Sequence, residues 1–381
     1  MVGYERLVRR DVVGLCYHLV SDECPPHVAH LGAFKPLEMF EADLKYLKQH
    51  YNVISYEELL RLRHSSLDSR HSTLATSHSP ATRPAVILTF DDGFRECFTH
   101  VRPLLLKYEL PAIFFITTDF IDNRRLFYRN KVSLCLDRLR TLDRANLATF
   151  TATLQRSSPT PNTGHLTSEL DTCHLTPDTL LGWLKNLPIT AEATIDEVCE
   201  LLNIDCQRYL AERQPYLTCD EIKALAVDGF TIGAHSKSHT RLGQGKGSGP
   251  FCRTGPFCRN GFDQPQRSLP GAPHKSVLTP FSELASELVD SCRIIAELTG
   301  AERVPFAFPF SGDSVDRAQL AEIRQQNPVV DLIFDRRGFR PDADFIVHRI
   351  IGDSPEKTTP ASSNVKQLFR RAYCNELTGA K

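Results

Sequence analysis

Short apolar runs, separated by stretches with helical spacing, constrain this chain more than any other feature. VVGLCYHL at 12–19, AVILTF at 85–90, LPAIFFITT at 110–118 and FTIGAH at 230–235 read as buried strands. Further strands are expected at 51–55, about 304–309, 329–335 and 344–350. Between them, residues 36–49 repeat Leu37, Phe40, Leu44 and Leu47 on one helical face, and helices are expected from Tyr56 and over 98–108. Thr218 and Glu221 have capping-box spacing at the start of a helix that ends at Asp228-Gly229. Thr279-Pro280 opens another, carrying Leu284, Leu288, Ile295 and Leu298 and ending at Gly300. Strand then helix, about seven times over, argues for a parallel sheet, either open or closed into a barrel.

Composition narrows the class. With 381 residues, 41% apolar and 24% charged, this is an ordinary globular chain of one large domain with insertions or two smaller ones. A formal net charge of −1 gives no electrostatic reason to expect nucleic acid or an anionic membrane as partner. Twelve scattered cysteines, with no C-x-x-C pair, are neither a disulfide scaffold nor a zinc ribbon. The first twenty residues lack the apolar core of a signal peptide, and no run of about 18 apolar residues occurs. A reduced, cytoplasmic protein is expected.

We expect a single domain over 1–381 that carries three additions. Residues 63–84 are rich in Ser, Thr, His and Pro and read as a mobile surface loop. Residues 124–215 are mostly helical in pattern and hold Trp183. Residues 243–277 are Gly/Pro-rich and repeat GPFCRT as GPFCRN, which reads as a local duplication rather than a metal site at Cys252 and Cys258. Lacking an apolar pattern, both loops are expected to contribute little to stability.

In a parallel barrel the chemistry sits where strands end. Polar groups at the ends of these strands are few: His18, Asp91-Asp92, His235 with His239, Phe310-Ser311-Gly312, and His348 within the last strand. Each has a plain reading. Asp-Gly punctuates turns, a lone H-x-x-x-H is commonly a surface pair, and a histidine in a strand commonly bonds a carbonyl. Taken together, two imidazoles and a carboxylate make an open zinc set.

Thr89-Phe90-Asp91-Asp92-Gly93 and His235-Ser236-x-x-His239 resemble the first two motifs of the NodB-type polysaccharide deacetylases, carbohydrate esterase family 4. YHLV, PAIFFITTDFIDN and FAFPFSG agree with the family's flanks, and the resemblance covers about 11–123 and 216–350. It implies a distorted parallel (β/α) barrel of about seven strands and metal-dependent removal of acetyl groups from an N-acetylated sugar. By the same resemblance, Asp92, His235 and His239 hold one divalent metal, zinc first, with cobalt, nickel or manganese as alternatives. Asp91 is the general base, the backbone N–H of Phe310 stabilises the oxyanion, and His348 protonates the leaving amine. An O-acetyl esterase, a non-sugar amidohydrolase or an inert sugar- or protein-binding barrel are the other readings. Two departures stand out. Ala307 occupies the place of the third-motif arginine that tethers the base, and the fourth motif has only Asp331-x-x-Phe334 as its nearest string.

Overall fold

The computed structural model describes residues 12–69, 83–157, 175–243, 281–336, 342–353 and 364–378. Among these residues ten strands form: β1 (Val12–Tyr17), β2 (Leu19–Ser21), β3 (Phe34–Pro36), β4 (Asn52–Val53), β5 (Ala85–Phe90), β6 (Ile113–Ile116), β7 (Thr231–Ala234), β8 (Val304–Ala307), β9 (Val330–Asp335) and β10 (Ile346–Ile351). Seven of them close a parallel ring in the order β1, β10, β9, β8, β7, β6, β5, with β5 returning to β1. The closing pair is in register from Val12 opposite Ala85 to Tyr17 opposite Phe90. The fold is thus the closed seven-stranded parallel barrel that the resemblance implies. β4 adds to the start of β5, at Ala85 and Val86, before β6 begins to pair at Thr89. β2 and β3 make a separate two-stranded sheet and were not foreseen, since three residues are too few to show a period.

Alternation sorts each ring strand between two cores. Leu15, Tyr17, Val86, Leu88, Phe114 and Ile346 pack with the surrounding helices. Their neighbours Ile87, Phe115, Ala307, Phe334 and Val347 form a smaller interior cluster. Space inside is short. A Cβ on Gly14 would lie 2.7 Å from Arg349 Cγ, and one on Gly233 would lie 2.5 Å from the Phe115 ring. Both glycines therefore leave room for a large side chain at the paired position of the neighbouring strand.

Helices arise where the spacing places them. Leu37–His50 buries Phe40, Leu44 and Leu47. Cys219–Val227 starts on the reciprocal Thr218–Glu221 capping box. Gly300, at φ 74°, ends Ser291–Thr299 in the left-handed conformation expected of a C-terminal glycine. The helix from Tyr56 continues to Ser69, so the first part of 63–84 is helical rather than loop. Residues 70–82, nearly all of 243–277, and Thr279-Pro280 lie outside the described residues.

Among the described residues, five helices follow β6 and its short 3₁₀ turn: Tyr128–Arg140, Arg144–Ser157, Pro177–Asn186, Glu192–Leu201 and Cys206–Arg213. Leu136, Leu154, Leu180, Leu184, Ile195 and Val198 build a second core, which reaches Leu19, Val28, Phe94 and Tyr216 beside the barrel mouth. Tyr216 ties the two together. Its hydroxyl donates to Asn130 Oδ1 at 2.6 Å and accepts from the Phe127 N–H at 3.0 Å. No helix among the described residues is long and apolar enough to cross a membrane.

Candidate active site

Asp91 and Asp92 follow β5 directly and diverge because the chain turns sharply between them. Asp92 has φ 73° and Gly93 φ 79°, so two successive residues are left-handed. This suits glycine and strains aspartate by on the order of 1–3 kcal/mol. Asp91 keeps the inward direction of the strand and is buried. Arg349 Nη1 donates to its Oδ1 at 2.6 Å, and Nη2 to its Oδ2 at 2.9 Å. Cys16 Sγ donates to the same Oδ2 at 3.2 Å. Burial by itself would raise the Asp91 carboxyl, but the Arg349 guanidinium outweighs it and holds the group at about 2. Arg349 is itself buried, donates to Thr89 Oγ1 at 3.0 Å, and lies against the Phe115 and Phe334 rings at 5.2 and 5.9 Å. Position 307, which lacks the expected arginine, belongs to the same interior cluster as Phe115 and Phe334. The cation missing from β8 is thus supplied by β10.

Asp92, His235 and His239 converge in one group of possible metal ligands. The turn that joins the two histidines is not helical. Ser236 and His239 are left-handed, at φ 61° each, and the His239 N–H donates to Ser236 Oγ at 3.0 Å. His235 Nε2 lies 3.3 Å, and His239 Nε2 2.9 Å, from Asp92 Oδ1. His235 Nδ1 lies 2.8 Å from the Ala307 carbonyl, which can only accept, so Nδ1 carries the hydrogen. This leaves His235 Nε2 facing the Asp92 carboxylate, where a cation could lie between them. The spacings suit ligands about 2.0–2.2 Å from one tetrahedral ion, whose donors stand roughly 3.3 Å apart. The residues fit a divalent metal.

His18 stands beside this group. Its Nδ1–H donates to Asp353 at 2.9 Å, its backbone N–H donates to the same carboxylate, and a ring nitrogen lies within 4.8 Å of Cys16 and Asp91 ligand atoms. Burial disfavours the imidazolium, but Asp353 more than compensates and raises the group to about 9. Sequence reasoning marked His18 as a strand end and missed Asp353, two residues past β10.

His348 is not brought to the group. Arg349 points inward, so alternation turns His348 to the other face of β10, where Nε2 bonds Asp342 at 3.0 Å. Burial lowers its pKa. The expectation that it protonates a leaving amine at the Asp91–Asp92 centre finds no support in this placement. Phe310 is at the site: its ring lies 5.0 Å from that of His239, and its φ is 60°. Asp335 secures its loop by accepting from the Gly312 N–H at 3.0 Å and Arg317 Nη2 at 3.1 Å. Asp331, the nearest fourth-motif string, lies within β9, as the sequence suggested.

Barrel and site together bring a set of ionisable groups to the C-terminal ends of parallel strands. Residues 78–155 match the model of the family described as polysaccharide deacetylase, which bears out the resemblance read from Asp91, Asp92 and their flanks and makes the class that of hydrolases acting on non-peptide carbon–nitrogen bonds. No curated protein matches the chain. Among solved structures, it is similar to a Streptococcus pyogenes deacetylase, PplD, in complex with acetate, at 14% identity and TM-score 0.48, covering 94% of this chain and 96% of that one. A de-N-acetylase from Aggregatibacter actinomycetemcomitans gives 15% and 0.47, covering 94% and 99%. IcaB from Ammonifex degensii gives 16% and 0.47, covering 95% and 97%.

Proposed function

We propose that this protein removes the acetyl group from an N-acetylated sugar by metal-assisted hydrolysis. The observation that carries the reading is the division of labour between adjacent carboxylates: Asp92 shares its oxygen with two imidazoles, while Asp91 is clamped apart by Arg349. Asp92, His235 and His239 hold one divalent ion, zinc by preference for this nitrogen and oxygen set. The ion, when bound, polarises the acetyl carbonyl and acidifies water.

The remaining steps fall to the chain's own groups. Asp91 accepts the proton of the attacking water. Its oxygens offer about four lone-pair sites, and Arg349 and Cys16 use three. Arg349 fixes the direction of that carboxylate. The Phe310 N–H donates to the oxygen on which charge develops. His18, kept protonated by Asp353, donates a proton to the departing amine, which is a poor leaving group otherwise.

The test is acetate release from N-acetylglucosamine oligomers, O-acetylated sugars and small acetamides by protein stripped with chelator and reloaded with zinc. Zinc-dependent release from the N-acetyl sugars is expected. Release from the O-acetyl esters alone, or from none of the three, overturns the reading.

A further inference from the structure

We infer that Cys16, His18 and Asp91 form a second divalent-metal site, weaker than the first, and that zinc bound there shuts the enzyme down. The shutdown rests on the proposed deacetylation, whereas the binding does not. One ligand atom from each of the three residues lies within 4.8 Å of the other two, the same closeness that gathers Asp92, His235 and His239. Cys16 and Asp91 are buried and His18 is half-buried, so the imidazole is the member open to an arriving ion. Asp91 Oδ2 lies 3.9 Å from His235 Nε2, so the two sites adjoin.

The donors suit an ion in type and spacing. Cys16 Sγ stands 3.2 Å from Asp91 Oδ2. A sulfur about 2.3 Å and an oxygen about 2.0 Å from one tetrahedral ion stand roughly 3.5 Å apart. His18 already has the posture of a metal-bound imidazole, with Nδ1 on the Asp353 carboxylate at 2.9 Å and its other nitrogen the one a metal takes. Lone pairs also suffice. Oδ2 gives one to Arg349 Nη2 and one to the thiol hydrogen, and the second is released when the thiol ionises. Thiolate with imidazole selects zinc or cobalt over magnesium or calcium.

Charge balances both without the ion and with it. Without it, Arg349 and a protonated His18 offset Asp91 and Asp353. With it, the Cys16 thiol and the His18 imidazolium each release a proton to solvent, and the ion and Arg349 together offset Cys16, Asp91 and Asp353. The need to release two protons makes this the weaker site, so the first ion goes to Asp92, His235 and His239. Occupation of the second removes both proton carriers of the reaction. The lone pair of Asp91 that would accept from water is committed to the ion, and His18 has no proton to give the amine.

The experiment titrates chelator-stripped full chain with cobalt(II) and with zinc. The first cobalt equivalent, held by nitrogen and oxygen, should give visible bands alone. The second should add the near-ultraviolet charge-transfer band of a thiolate on cobalt. Cys16→Ser should lose that band, and His18→Gln should weaken the second uptake by roughly tenfold or more. Cys219→Ser, which alters a half-buried thiol on another helix, is the control and should keep both. On N-acetylglucosamine oligomers, zinc beyond one equivalent should lower wild-type turnover by roughly tenfold or more, reversibly on chelation. Excess magnesium should not. Within Cys16→Ser, the same excess of zinc should change turnover by less than about twofold. No thiolate band at the second equivalent in wild type, or one that survives in Cys16→Ser, overturns the site. Equal inhibition of wild type and Cys16→Ser overturns the shutdown. If no sugar is turned over, the deacetylation reading fails, and the band and the metal count still decide the site. Should Cys16→Ser not fold, the wild-type titration and His18→Gln decide it.

Discussion

At the scale of single residues, the site is a set of paired charges, and each pairing predicts what its loss should do. Alanine at Asp92, His235 or His239 should lower bound metal from about one per chain to near none, measured by metal analysis after reconstitution. Wild-type protein that takes up no metal would contradict the assignment. Arg349→Gln should cost roughly a hundredfold or more in kcat, because the base loses its orientation. It should also lower stability by about 3–5 kcal/mol, because a buried carboxylate is left alone. Urea titration reads the second effect, and restoration of turnover by Ala307→Arg in the same chain would show that the cation matters more than the strand it comes from. His18→Gln should slow an amide far more than an activated acetyl ester, whose leaving group needs no proton, whereas His348→Gln should slow both only slightly. Equal losses on both substrates for His18→Gln would remove its acid role.

At the scale of elements, β9 and β10 are joined by an ion network that should report on acid. Arg317 donates to Asp342 at 2.9 and 2.8 Å and to Asp335 at 3.1 Å. Burial would raise Asp342, but the Arg317 hydrogen bonds dominate and hold it at about 2, against the usual 3.8. A folded-state value below the unfolded one stabilises above the unfolded value and is lost as pH falls through the folded one. Asp342→Asn should therefore cost about 2 kcal/mol near pH 7, and the gap to wild type should close between about pH 4 and pH 2 in denaturant titrations. A constant gap would mean that the carboxylate's charge is not what stabilises.

The same elements show what sequence alone could carry. Long apolar strands and both capped helix ends were legible, because alternation and capping are written within a few residues. The group of possible metal ligands was legible because its residue types are distinctive and follow strands. The direction of β10 was not: Ile346, Val347, His348, Arg349 and Ile350 offer no polar face, so nothing local says whether His348 or Arg349 points inward. Asp353 was missed for another reason. Its partner His18 is 335 residues away, and closure of the ring is what brings them together. The left-handed φ values at Asp92, His239 and Phe310 leave no trace in residue type.

At the scale of the whole molecule, barrel and helical insert share Phe94, Phe120 and Tyr216 as a seam of stacked rings, 5.9 and 5.0 Å from Tyr216. The two cores should therefore melt together. Scanning calorimetry is expected to give one transition, and Tyr216→Phe, which removes its hydroxyl's contacts with Phe127 and Asn130, should lower its midpoint by several degrees. Two resolved transitions in the wild type would show that the insert is an independent unit.

The pairing of β1 with β10 also sets a timetable for biosynthesis. β1 leaves the ribosome well before β10, although the two are neighbours in the ring. A nascent chain stopped short of residue 349 has an open ring whose edge strands can pair with other chains, and it has Asp91 with no guanidinium to meet. Such contacts, distant in sequence, slow folding and prolong exposure of apolar strands. A chain that stops before β10 is therefore expected to expose unpaired strand edges and to be cut faster by protease than the full chain.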